Sequence, residues 1–242
     1  MRGFRWLATL MVLLVAVPQP AAAKTRVDEN FAFPTGQAVK IAVFRPDVQV
    51  GSLGMSGVIS PNADWTAAAR RNFAEALRAD IKTMNAETVF IEDTPLQNEQ
   101  IFADYQSLYR AVAASIFQHK FFGDRLPTKK DRFDWTLGPG AKALGDATGA
   151  QYGLLFYTND AFDSGGRTAW NLLTLNLAGM LLSGVHVAYA SLVDLQTGQV
   201  VWFNVKLRTG GDPREPEGAR ERVANLLETL PGRPKPPKVA RR

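Results

Sequence analysis

No cysteine occurs in the 242 residues, so whatever this chain folds into is held by packing alone. The same count excludes a disulfide framework, a thiolate metal site and a thiol nucleophile. The constraint is sharper outside the cytoplasm, where many small domains rely on cross-links, and this chain carries the leader of an exported protein. Arg2 and Arg5 precede an apolar run over residues 6–17, Pro18 and Pro20 break it, and Ala21, Ala22 and Ala23 supply the small side chains a signal peptidase needs. Cleavage is expected after Ala23. The run is shorter than the ~20 apolar residues that cross a bilayer as a helix, and no thiol is present near it to take a lipid.

Beyond the leader, residues 24–38 read as a polar lead-in, residues 39–230 as a single α/β domain, and residues 231–242 as a disordered, basic, Pro-rich tail. Formal charge follows that division. Of the 28 basic residues, two lie in the leader and five in the tail, which leaves 21 against 23 acidic ones in the body. A nucleic-acid partner would require a basic face on the folded part, so none is expected. The tail is expected to touch anionic membrane or wall polymers weakly, through screened contacts.

Within the domain, Val39, Ile41 and Val43 alternate in a short strand that Arg45 and Pro46 stop. Residues 45–63 read as a Gly- and Ser-rich loop, without the Gly-Lys-Ser/Thr ending or the Gly-x-Gly-x-x-Gly spacing of a phosphate cradle. Asn62 or Asp64 caps a helix whose apolar stripe is Trp65, Ala69, Phe73, Ala76, Leu77, Ile81 and Met84. A second strand falls at 87–91, and a second helix carries Ile101, Tyr105, Leu108, Tyr109, Val112 and Ile116 on one stripe. Residues 119–136 form a long charged connection. A short helix over 141–149 stops at Gly149 and leads into a buried strand at 152–157. Residues 168–193 carry no formal charge over 26 positions; the pattern gives a buried helix near 169–182 and then a strand, with His186 a core or edge histidine. A tight turn with Gly198 at positive φ joins that strand to the next. A last helix places Ala219, Val223, Leu226, Leu227 and Leu230 on its apolar stripe. The fold class is therefore α/β: a mixed β-sheet packed by amphipathic helices, with a C-terminal β-hairpin and a final helix.

Little chemistry is available. His119 and His186 are the two histidines, and neither lies in a His-Glu-x-x-His pattern or pairs with a Gly-x-Ser-x-Gly elbow. No catalytic residue, metal or cofactor is assigned. The polar cluster after the buried strand, with Asn159, Asp160, Asp163 and Arg167, lacks EF-hand ligand spacing and reads as a turn built on Asp and Gly. Asp124, Arg125, Lys129 and Trp135 in the charged connection complete the set of candidate contact residues, and the expected contact regions are residues 45–63, 119–136 and 159–167. For Trp135, the alternative is an aromatic plug that pins the connection to the body.

Three stretches carry a family likeness: residues 39–44; residues 143–157, from Ala143, Leu144 and Gly145 into Tyr152; and residues 190–202, with Val193, Asp194, Thr197, Gly198, Val200 and Trp202. They resemble the periplasmic α/β domain shared by the curli secretion channel family and the N-terminal domain of the TolB family. The resemblance implies a non-enzymatic envelope module that binds partner proteins or oligomerises. This chain departs from the channel in lacking its lipidated cysteine. The expected function is thus an exported, periplasmic interaction or assembly module with envelope proteins or further copies of itself as partners. Two alternatives are an envelope hydrolase, which would need Asp160, Asp163 and His186 to converge, and a membrane-associated oligomer using residues 168–193.

Overall fold

The computed structural model describes residues 24–28, 31–34, 38–56, 58–84, 86–93, 99–122, 126–129, 132–163, 185–207 and 210–233. Among them run eight strands and four helices: β1 (Lys24–Val27), β2 (Lys40–Val43), β3 (Asp47–Leu53), β4 (Ile59–Pro61), α1 (Ala63–Ile81), β5 (Glu87–Phe90), α2 (Glu99–Phe117), α3 (Lys142–Thr148), β6 (Tyr152–Asp163), β7 (Val185–Asp194), β8 (Val200–Leu207) and α4 (Pro216–Leu227). The strands form one mixed sheet in the order β1-β8-β7-β6-β2-β5. β2 runs parallel to both β5 and β6, whereas β6, β7, β8 and β1 are antiparallel in turn.

Strand alternation sorts the core into two layers. Ile41, Val43, Leu154, Phe156, Ala190 and Leu192 face α1 and α4. Ala42, Phe44, Leu155, Tyr189, Val193 and Phe203 face α2 and α3. Helix α1 begins where the Asn62 side chain accepts the Trp65 N–H at 2.9 Å, and it buries Ala69, Phe73, Ala76, Leu77 and Ile81. On α2 the buried set is Phe102, Tyr109, Ala113 and Ile116. That stripe is rotated from the expected one, and Leu108 is left exposed. Helix α3 ends at Gly149 with φ 65°. Asn204 on β8 is fully buried and ties three elements together: it accepts from the Thr25 hydroxyl of β1 and donates to the Leu226 carbonyl of α4.

Three expectations are corrected. Residues 45–63 are mostly not a loop. β3 pairs in parallel with the far half of β6, beside the β2 pairing, and β4 folds back on β3. Val43 faces Leu154 and Asp47 faces Tyr157, so three residues on one side oppose two on the other. This is a bulge centred on Arg45, placed where Pro46 has no N–H to donate. Gly51 permits the β3–β4 contact, because a Cβ there would lie 2.7 Å from the Ser60 carbonyl oxygen. The Gly and Ser content hid a strand whose Val48 and Val50 are core. Second, the lead-in contains β1, and Phe31 and Phe33 pack edge-on against Tyr152. Third, the buried strand runs on to Asp163, through the supposed turn. At the other terminus the described residues run to Arg233, which pairs with Asp80 at 2.6 Å. Burial pushes the Asp80 carboxyl above its usual range, against the pull of that guanidinium. The rest of the tail, the leader and the helix expected near 169–182 lie outside the described residues.

Candidate functional site

The far end of β6 holds a buried ionic centre. Asp160 is fully buried on the α1/α4 face. Its Oδ1 accepts from His186 Nδ1 at 2.8 Å and from the Arg222 guanidinium, and its Oδ2 accepts the Thr158 hydroxyl at 2.7 Å. Arg222 comes from α4, is 1% exposed, and also donates to the Gly211 carbonyl at 2.7 Å. A second layer covers this centre. Phe162 meets the His186 ring edge-on at 5.0 Å, and the Arg214 guanidinium lies 4.0 Å from the Phe162 ring and 4.4 Å from Trp65. Arg214 is held by two-pronged bonds to Asp212. Burial works to raise the Asp212 carboxyl, but the Arg214 side chain and N–H outweigh it and hold the group below its usual range.

Asp160 holds His186 in the posture of a general-base histidine. One feature argues against that chemistry here: Arg222 already neutralises the same carboxylate oxygen. Alternation also splits the polar cluster: Asp160 points to one face of the sheet, Asn159 and Asp163 to the other. The convergence a hydrolase would need is therefore partial, with Asp160 and His186 together and Asp163 apart. Among the described residues no three His, Asp or Glu side chains gather to hold a metal.

Beside this centre the surface is apolar. Leu53 pairs with Asp163 in register, so the β3–β4 hairpin tip projects from the same end of the sheet. Met55 is 62% exposed, Val58 63% and Ile59 38%. Residues 48–63 carry no formal charge. β4 is exposed at all three positions and pairs with β3 alone among the described strands. An uncharged strand edge of this kind invites pairing or docking. No helix among the described residues is long and apolar enough to cross a membrane.

Open α/β sheets usually take ligands at the carboxyl ends of parallel strands, where the crossovers diverge. Here α1 and α2 pack on opposite faces around β2. The crevice between the ends of β2 and β6 is filled by β3. What remains open lies toward β5: a cavity of about 300 Å³ lined by Phe44, Arg45, Ile91, Glu92, Glu99 and Phe102, among others. An adjoining basin of about 250 Å³ is bounded by Arg45, Asp47, Arg70, Gln106 and Arg110.

Of the residues singled out in the sequence, Asp160 and His186 sit in the ionic centre. Trp135 is buried in the α2/α3 layer, with the Lys129 ammonium 4.8 Å from its ring, so it plugs the connection onto the body. Lys129 also reaches the Asp134 carboxylate at 3.2 Å. Asp124, Arg125 and Arg167 lie outside the described residues. Arg222 was missed by sequence reasoning, although it left a signal: it lies within the apolar stripe of Ala219, Val223 and Leu226, where a lone cation requires a buried anion.

No family model matches the chain, and no curated protein does. Among solved structures it is similar to the PelC dodecamer from Paraburkholderia phytofirmans, at 14% identity over 86% of this chain and 96% of that one, with a TM-score of 0.37. Lipoprotein GNA1162 from Neisseria meningitidis matches at 10% identity over 79% and 97%, with a TM-score of 0.29. The LpoB C-terminal domain from Salmonella enterica matches at 13% identity over 72% and 85%, with a TM-score of 0.25. At these values they assign neither a family nor an activity to this chain.

Proposed function

We propose that this protein is an exported interaction or assembly module of the cell envelope, working in the periplasm, and that the β3–β4 hairpin is its contact surface. The observation that carries this is the exposure of Met55, Val58 and Ile59 on an uncharged hairpin. Scattered apolar side chains are ordinary on a surface, whereas a contiguous set on an open strand edge marks a docking site. The ionic centre supports the reading by fixing the sheet end from which the hairpin projects. The leader, and the resemblance to the curli secretion channel and TolB families, agree with this class. The test is photo-crosslinking from positions 55 and 58 in intact envelopes. A discrete adduct, either a dimer of this chain or one partner, is expected, and it should disappear with Val58→Lys. Crosslinks no more frequent than from exposed Glu217 would sink the proposal.

A second reading, a membrane-associated oligomer, is favoured by one observation. β7 enters the sheet at Val185, opposite Ala161 and at the end that carries Met55 and Val58, and the sequence over 168–193 carries no formal charge. Carbonate extraction separates the two: release of all the protein into the soluble fraction removes the membrane reading and leaves the first intact.

A further inference from the structure

The basin between α1 and α2 has an unusual charge inventory. Three guanidiniums, from Arg45, Arg70 and Arg110, border it against one carboxylate, Asp47. That carboxylate is already occupied, because Arg110 donates to it through both Nε and Nη2, at 2.7 and 2.5 Å. Arg45 pairs outside the basin, with Glu92 at 3.3 Å. Arg70 has no carboxylate partner among the described residues and reaches only the Val48 carbonyl, at 3.4 Å. Arg70, which lacks a carboxylate partner among the described residues, and Arg45, whose 61% exposed side chain pairs with Glu92 only at 3.3 Å, form a seat for an oxyanion on a helix and on a bulge at the carboxyl end of a parallel strand.

We infer that this basin binds a single peptide carboxylate of a partner protein, held between Arg45 and Arg70. The inference rests on the reading of the chain as an interaction module and adds a second, polar contact to the apolar hairpin. Three features favour a peptide over a phosphate polymer or nucleic acid. The adjoining cavity has the buried rings of Phe44 and Phe102 at its base and the half-buried Ile91 at its side, an apolar seat for a neighbouring side chain. The Gln100 and Gln106 side-chain oxygens remain to accept from a peptide backbone, their amide nitrogens being engaged by Asp104 and by the Arg45 carbonyl, each at 2.7 Å. Glu92 and Glu99 border the same groove and would repel a continuous polyanion while admitting one carboxylate.

The purified protein would be titrated with a fluorescein-labelled peptide carrying one glutamate, its C-terminus either free or amidated, and with inorganic phosphate as competitor. Arg45→Gln and Arg70→Gln should each weaken peptide binding about tenfold, the usual loss for one charge-assisted hydrogen bond. Arg71→Gln removes the same charge from a neighbouring depression and should leave binding within about twofold, since it alters only a screened, exposed charge. Unchanged far-ultraviolet circular dichroism would show that the variants fold. Equal affinity of the amidated peptide assigns the site to an acidic side chain; its loss assigns it to a chain terminus. Both outcomes support the inference. A flat titration, an Arg71→Gln effect equal to that of Arg70→Gln, or displacement by phosphate as effective as by unlabelled peptide would each overturn it. Hairpin crosslinks that persist beside a flat titration would locate the failure in the basin and leave the proposed function standing.

Discussion

At the β7–β8 turn the sheet is closed by backbone; at the far end of β6 it is closed by ions. The turn is built from neighbours in sequence. Asp194 Oδ1 accepts the N–H groups of Gln196 and Thr197, at 2.8 and 3.1 Å, and Gly198 sits at φ 75°. The chain at Trp135 to Leu137 then lies across it, with Leu137 donating to the Gly198 carbonyl and Val200 to that of Trp135. The ionic end is assembled from three separate elements through Asp160, His186 and Arg222. A local turn is specified by its own residues. An ionic centre depends on partners brought from far along the chain, and each group left alone there is a buried charge.

The contrast can be broken most directly at Arg222. Arg222→Met leaves Asp160 buried without its guanidinium and should destabilise the protein by about 3–5 kcal/mol in urea unfolding. Replacing Asp160 with Leu in the same chain should restore most of that loss, because two apolar groups leave no orphaned charge. A single-variant loss below about 1 kcal/mol would place the pair with surface ion pairs and erase the distinction.

The backbone-closed end should respond next most strongly. A Cβ on residue 198 would lie 2.0 Å from the Gly138 carbonyl oxygen, on a left-handed backbone. Gly198→Ala should therefore lose about 1–3 kcal/mol, read in the same urea assay.

A smaller effect concerns acid. The Asp212 carboxyl is held below its usual range in the folded protein. A depressed carboxylate contributes stability that is in place above the unfolded value, about 3.9, and is lost as pH falls through the folded one. The stability of the wild-type chain should thus drop below about pH 4 more steeply than that of Asp212→Asn. Parallel acid limbs in urea midpoints against pH would refute the assignment. The smallest effect on stability belongs to the hairpin: Met55→Lys and Val58→Lys should stay within about 0.5 kcal/mol of wild type while abolishing envelope crosslinks.

The same contrast governs what was legible in the sequence. The helix caps at Asn62 and Gly149, the stripe of α1 and the turn at Gly198 are local signals, and each stands where its residue pattern placed it. β3 was hidden because its glycine and serines, needed for the close approach of β4, have the composition of a loop. Asp160 and Asp163 read as turn residues because strand preference is weak beside tertiary pairing, and the pairing partners are β3 and β7. Residues 45–63 were legible as a contact region, but Met55 and Val58 stand out within it only once β3 is known to carry them to the sheet end.

β1 has a consequence for how the molecule is made. Lys24 is matched with Val205 and Val27 with Trp202, so β1 can settle only once β8, far along the chain, is in place. Contacts of such long separation close slowly. Addition of β1 therefore waits on β8, and the Asn204 side chain that accepts from Thr25 while donating to α4 is the catch that secures it.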